Sequence, residues 1–389
     1  MKTNPVLSVT KLGPIQQADV EFGDLTVLVG PQASGKSVLL QTLKLILDHS
    51  AIASLLRKQG YDWLGKTGNF LEMYFGEGMD NLWSDGTKIT WRGKPISIKS
   101  MVPRRVRASA RSSLFYVPAH RVLTLKNGWP RHFGDYSPGD PYVVQDFSER
   151  LRLLMEAGLG SGGAIFPQLG RLTDATRKLL QRGIFGDFEL KLDRNGPQKR
   201  LVLQRGKEKP LPFMVWSAGQ REFSPLLLGL YQLMPSGKVS RRKEIDWVVL
   251  EEPEMGLHPR AITAVLFLVL ELMNRGYRVC LSTHSPHVLD MVWALRVFIE
   301  RKGAPVNVLN LFDVPASPKN SEIAATTLQK SLKVYCFNRD HQKTVDISGL
   351  NPDSEKPEEV NWGGLTEFTA RASDVVADFV ANAPTIDDK

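Results

Sequence analysis

Cysteine is nearly absent. Two residues, Cys280 and Cys336, stand in 389. That excludes a disulfide framework and a cysteine ligand cluster for zinc. Cys280 lies in an apolar run and reads as a small buried hydrophobe. No apolar run reaches the ~18 residues of a membrane helix. The start, Met1-Lys2-Thr3-Asn4-Pro5, lacks the apolar core of a signal peptide. These two absences set the cytoplasm as the expected location. Sustained heptads are missing between 57 and 212, so no long coiled coil is expected there. No internal repeat is visible.

Basic residues are in surplus. Lys and Arg number 50 against 41 Asp and Glu, giving a formal charge of +9 and a pI of about 9.4. That balance favours an anionic partner, nucleic acid above all, although basic residues also serve simply to solubilise a surface. A basic run, Arg104, Arg105, Arg107 and Arg111, is the candidate patch. The length suits two or three domains.

The stretch with the clearest chemistry is Gly30-Pro31-Gln32-Ala33-Ser34-Gly35-Lys36-Ser37. It reads G-x-x-x-x-G-K-S, the phosphate-binding pattern. The apolar run Leu25 to Val29 precedes it and reads as a buried strand. A Gly- and Pro-free stretch from Val38 with an apolar stripe follows and reads as a helix to about Leu56. Gly30 and Gly35 free the backbone to turn its N–H groups onto phosphate oxygens. The helix start adds a positive dipole end. Lys36 supplies a point charge for the β- and γ-phosphates, and Ser37 a hydroxyl for Mg²⁺.

Strands are expected at 7–10 and 18–22, joined by the Gly13-Pro14 turn. Residues 57–112 read as a β-rich lobe with strand-like pieces at Met73–Phe75, Lys88–Trp91 and Ile96–Ile98. Another buried strand covers Ser113 to Val117. Helices are expected at about 143–157 and 173–182. The Asp193-Arg194-Asn195-Gly196 signal predicts a hairpin between 188–192 and 200–204. Val297–Ile299 and Val334–Phe337 read as edge strands, and 367–381 as a closing helix.

Three further pieces follow the loop. Trp247-Val248-Val249-Leu250 is an apolar strand running into Glu251-Glu252-Pro253-Glu254. Glu251 is assigned to the metal side and Glu252 to the attacking water. Val279 to Ser285 is a buried strand ending in Ser282-Thr283-His284-Ser285. His284, just past its carboxyl end, is placed to donate to a γ-phosphate. Ser217-Ala218-Gly219-Gln220 opens a helix with Ser217 as N-cap.

The order of these four pieces resembles the ABC-type ATPase heads of the SMC, RecF and OLD group. Glu251 to Pro259 is similar to the D-E-P-E-x-x-L-H-P of AAA-type ATPases in prokaryotic antiviral defence, of the PARIS and Septu type. Tyr116-Val117-Pro118-Ala119-His120-Arg121 is similar to a Y-I-P-A-E-R stretch of the same proteins. The resemblance covers roughly 5–56, 113–121 and 213–300. It implies an α/β P-loop NTPase fold, an ABC-type head with inserted β-rich and helical lobes.

The parts are then an N-terminal core at 1–56, a β-rich lobe at 57–112 and a core strand with a helical and hairpin lobe at 113–212. The C-terminal core at 213–300 and an extension at 301–389 complete them. The resemblance also implies ATP and Mg²⁺ as cofactors and a head-to-tail homodimer. In it Ser217, Gly219 and Gln220 complete the partner's site, Glu252 is the catalytic base, His284 a switch, and Gly256-Leu257-His258 lies across the seam. Gly30 to Ser37 bind the nucleotide, with Ser37 and Glu251 on the metal.

Two departures stand out. The metal-side carboxylate is Glu251 rather than Asp, which implies slow turnover. The glutamine expected after the 113–117 strand is missing, with His120 or Arg121 as stand-ins. Residues 301–389 show no E…D-x-D set of a Toprim nuclease. The expectation is an ATPase that regulates a separately encoded effector in phage defence. The alternatives are a RecF-like repair ATPase that clamps duplex DNA through its basic run, and a non-hydrolysing ATP-bound scaffold.

Overall fold

A computed structural model of the chain describes residues 4–102, 111–159, 163–193, 199–235, 241–339, 342–352 and 354–382. The first strands in chain order are β1 (Val6–Leu12), β2 (Ile15–Glu21), β3 (Leu25–Val29), β4 (Trp83–Trp91), β5 (Lys94–Ile96) and β6 (Leu114–Val117). A short pair follows, β7 (Leu125–Lys126) with β8 (Trp129–Pro130). Next come β9 (Ala164–Phe166), β10 (Glu189–Asp193), β11 (Arg200–Gln204) and β12 (Leu211–Pro212), which form a small antiparallel sheet. The last four are β13 (Trp247–Glu251), β14 (Arg278–Thr283), β15 (Leu332–Asn338) and β16 (Lys343–Asp346).

The main sheet has ten strands in the order β5-β4-β1-β2-β16-β15-β3-β14-β13-β6. From β15 to β6 every neighbour is parallel. From β5 to β2 every neighbour is antiparallel. The parallel strands β3 and β13 are buried at every residue, which is why their sequences are continuous apolar runs. Alternation still sorts their side chains. Leu25, Val27 and Val29 join the apolar cluster around the helices Ala218–Leu233 and Pro259–Asn274. Leu28 faces the other cluster, with Leu39, Leu40 and Leu43 of the helix Lys36–Lys58. This α/β sheet, with the phosphate-loop sequence leading from β3 into a helix, is a P-loop NTPase fold.

Several local expectations are corrected. Met73–Phe75 lies in the helix Thr67–Phe75, whose buried residues Phe70, Leu71, Tyr74 and Phe75 repeat with helical spacing. Val297–Ile299 ends the helix Pro286–Glu300, which starts with Pro at its first turn and buries Val288, Val292 and Leu295 on one side. The strand at 334–337 is internal, between β3 and β16. In the stretch 57–112, β4 and β5 extend the main sheet by pairing on β1. The helix Lys36–Lys58 is also long and apolar enough to cross a membrane, which the sequence reading did not expect. In the fold, 61% of its apolar window is buried within the protein. Arg104, Arg105, Arg107 and the hairpin turn at 194–198 lie outside the described residues, whereas Arg111 is described and exposed.

Candidate active site

The phosphate-loop sequence sits at the carboxyl end of β3. Gly30, Ala33 and Gly35 have φ of 140°, 59° and 98°, positive values of the kind a loop that offers backbone N–H groups to an anion uses. A Cβ on Gly30 would lie 2.4 Å from the Phe337 carbonyl oxygen, and one on Gly35 2.5 Å from Ile15 Cγ1. Both positions therefore require glycine for space as well as for conformation. Pro31, Gln32 and Ala33 form the exposed crest, and Ser34 Oγ donates to the Pro31 carbonyl at 2.8 Å. Lys36 begins the helix and is buried. Its Nζ donates to the Gly30 and Pro31 carbonyls, both at 2.7 Å. Burial lowers its pKa to about 8, opposed first by the charge of Glu252.

Two strands away, β13 ends at Glu251, which is buried. Glu251 Oε2 accepts from the Ala119 N–H at 3.2 Å. Among the described residues its Oε1 is buried and has no hydrogen-bond partner. Burial pushes the carboxyl pKa up, and the Ser37 and Tyr116 hydroxyls nearby work against that. An unpartnered carboxylate oxygen beside a serine hydroxyl suits a hard cation that takes oxygen ligands. Ser37 and Glu251 are thus the residues that could hold Mg²⁺. Among the described residues no group of three or more His, Cys, Asp or Glu is arranged to hold a metal, and Mg²⁺ in phosphate sites needs few protein ligands.

Glu252 turns the chain away from the strand with φ 43°. Its N–H donates to the Ser282 carbonyl at 2.9 Å. Its Oε1 lies 3.5 Å from His284 Nε2. That histidine, and then the charges of Lys36 and Arg121, hold the carboxyl below the usual range against the effect of burial. Glu252 therefore stays ionised, as an acceptor must. Glu254 fastens the end of β14 instead. Its Oε1 accepts from Thr283 Oγ1 at 2.7 Å and from the His284 N–H at 2.8 Å.

Sequence reasoning missed what Arg121 does. The side chain is fully buried. Its Nε donates to the Glu222 carbonyl at 3.1 Å, and its two Nη to the Glu251 and Glu252 carbonyls at 3.0 and 3.1 Å. The Glu222 carboxylate lies 3.7 Å away. Arg121 braces the turn that carries both carboxylates, and His120 is exposed. Arg121→Ala takes a donor from three carbonyls, of which Glu252's keeps the Met255 N–H at 3.0 Å, leaves the Glu222 carboxylate without its cation, and should destabilise the fold by about 3–5 kcal/mol. Urea unfolding checks this, and a loss below about 1 kcal/mol would contradict the bracing role.

Ser217 caps the helix Ala218–Leu233. Its Oγ accepts from the Gln220 N–H at 3.3 Å, and Gln220 Oε1 accepts from the Ser217 N–H at 3.1 Å, a reciprocal capping box. Gly219 packs so closely on the next loop that a Cβ would lie 2.9 Å from the Gly256 carbonyl. His258 caps the helix Pro259–Asn274, its Nδ1 accepting from the Arg260 N–H. Among the described residues no hydrogen bond or ion pair joins Ser217–Gln220 to Gly30–Ser37 of the same chain. Ser217 and Ala218 face solvent, beside Met214 and Val215 at 68% and 61% exposure.

Residues 164–290 match the protein-family model described as "AAA domain, putative AbiEii toxin, Type IV TA system". No curated protein matches the chain. Similar solved structures include the SMC head domain from Thermotoga maritima, 13% identical with a TM-score of 0.32, covering 75% of this chain and 92% of that one. An SmcHead bound to the C-winged helix domain of ScpA is 10% identical with a TM-score of 0.39, covering 72% and 88%. An Smc head domain with an extended coiled coil, bound to the C-terminal domain of ScpA derived from Pyrococcus furiosus, is 8% identical with a TM-score of 0.34, covering 88% and 96%. The matched stretch, about a third of the chain, holds the capped Ser217 loop, both carboxylates and His284, and likens that part to an AAA domain; the P-loop at Gly30–Ser37 lies before it and carries the P-loop NTPase fold.

Proposed function

We propose that the chain binds ATP with Mg²⁺ and hydrolyses it slowly, as a head-to-tail dimer with two shared sites. The observation that carries this is a division within one chain. Lys36, Ser37, Glu251, Glu252 and His284 gather at the carboxyl ends of three adjacent parallel strands, while the capped Ser217–Gln220 loop faces solvent. A second copy, rotated, can bring that loop over the first copy's phosphates. The core in this reading is 1–56 with 213–300; 57–112, 113–212 and 301–389 are additions to it.

In the closed site the loop N–H groups and Lys36 grip the phosphates. Ser37 and Glu251 hold Mg²⁺, which when bound neutralises charge on the phosphate oxygens. Glu252 accepts the hydrogen bond of the attacking water and orients it. His284 steadies Glu252 and reaches the γ-phosphate. Glu251 carries one methylene more than aspartate, which supports slow turnover.

The resemblance of Glu251–Pro259 to antiviral ATPases supports a sensor role in phage defence, gating a separately encoded nuclease or toxin. Phosphate release from ATP that stops with EDTA tests the enzyme reading. ATP binding without phosphate release would favour a scaffold. Deletion from a strain carrying the whole operon should lower phage resistance, and unchanged resistance would count against the defence role.

A further inference from the structure

At the opposite ends of β6 and β13 from the carboxylates, a cleft of about 400 Å³ opens between Ser112, Gln232 and Ile245. The five-residue strand β13 puts it about 13 Å from Glu251 along the strand. Three arginines line it, Arg111, Arg150 and Arg242, against one carboxylate, Glu244.

The arginines are differently held. Arg150 Nε donates to Asp146 at 3.0 Å, and its guanidinium lies 5.5 Å from the Phe115 ring centroid. Asp146 is itself buried and 3.6 Å from buried Lys44. Arg242 Nε donates to the Gln232 carbonyl at 3.1 Å. Arg111 is exposed at the rim. Among the described residues no hydrogen bond or ion pair occupies the Nη groups of any of the three. Two guanidinium forks are therefore held by their Nε bonds on residues that line a cleft of net positive charge. Fixing the stems beforehand lowers the ordering cost of binding, and paired forks match phosphate oxygens.

We infer that this cleft is a second anion site, separate from the nucleotide loop, that binds phosphate groups of a nucleic-acid strand or of a free nucleotide or polyphosphate. Its size suits one or two phosphates with their immediate substituents.

The test uses the full chain carrying Lys36→Ala, so that the nucleotide loop contributes little. A fluorescein-labelled 20-nucleotide single strand is titrated by anisotropy at 50 mM salt, and pyrophosphate by calorimetry. The added pair Arg111→Glu and Arg242→Glu should weaken binding at least tenfold. It should also flatten the salt dependence of strand binding by about two phosphate contacts. Strand binding assigns a polymer as the source, and pyrophosphate binding alone assigns a small molecule. If the pair does not fold, Arg111→Gln at the exposed rim carries the same test with a loss of about threefold. No binding of either probe, or affinity within twofold of the parent in the paired variant, would overturn the inference.

Discussion

Lys36→Ala should abolish measurable ATP binding while the fold survives. Lys36 is the buried cation of the loop, and its ammonium bonds the Gly30 and Pro31 carbonyls at 2.7 Å. The phosphate-facing loop can hydrate those carbonyls once the side chain is gone. The lost interaction is charge-assisted and directed at a doubly charged group, so affinity should fall at least about a hundredfold. Calorimetry with ATP and Mg²⁺ measures this, and thermal unfolding shows whether the variant remains folded. Retained ATP affinity in a folded variant would remove Gly30–Ser37 from the nucleotide site.

Glu252→Gln should bind ATP normally, fail to hydrolyse it and accumulate as an ATP-bound dimer. Glutamine keeps the shape of the side chain and leaves the backbone ties of residue 252 to Ser282 and Arg121 in place. On the proposed mechanism, what it loses is the acceptor that orients water, a contribution of about 10²–10⁴ in rate. The pairing with His284 and the nearby Lys36 charge keep Glu252 ionised in the native chain, so this change removes a charge that is present at neutral pH. Phosphate release and light scattering with ATP read the two effects. Wild-type hydrolysis by the variant would move the base to another group.

How much of this was legible in the sequence follows the range of each interaction. The phosphate loop is local: its glycines, lysine and serine sit within eight residues, flanked by a strand and a helix that their own patterns reveal. The carboxylates of Glu251 and Glu252 were readable because they end an apolar run. Ser217 as a cap was readable because a cap acts within its own first turn. Arg121 was not readable, because its carbonyl partners lie 101, 130 and 131 residues away and only the folded chain shows that it is buried. The place of β15 beside β3 is equally non-local, since about 300 residues separate the paired strands. Residues 297–299 misled because three β-branched or aromatic residues look like a strand in a short window. In the fold they finish a helix whose face is set by Val288, Val292 and Leu295.

The paired basic residues show the same division. The charge excess was visible at once, but which arginines converge was not. Arg111, Arg150 and Arg242 meet across a cleft although 92 residues separate the last two.

The central claim is that each ATP is gripped by one copy and enclosed by the other, and mixing two inactive variants tests it most directly. Lys36→Ala damages the gripping loop, and Ser217→Arg places a bulky charge on the enclosing loop. Each alone should lack ATPase activity. In a mixed dimer both lesions fall in one site and the second site is intact. An equal mixture should therefore recover up to about a quarter of the wild-type rate. A mixture no faster than the two variants measured separately would contradict the shared site.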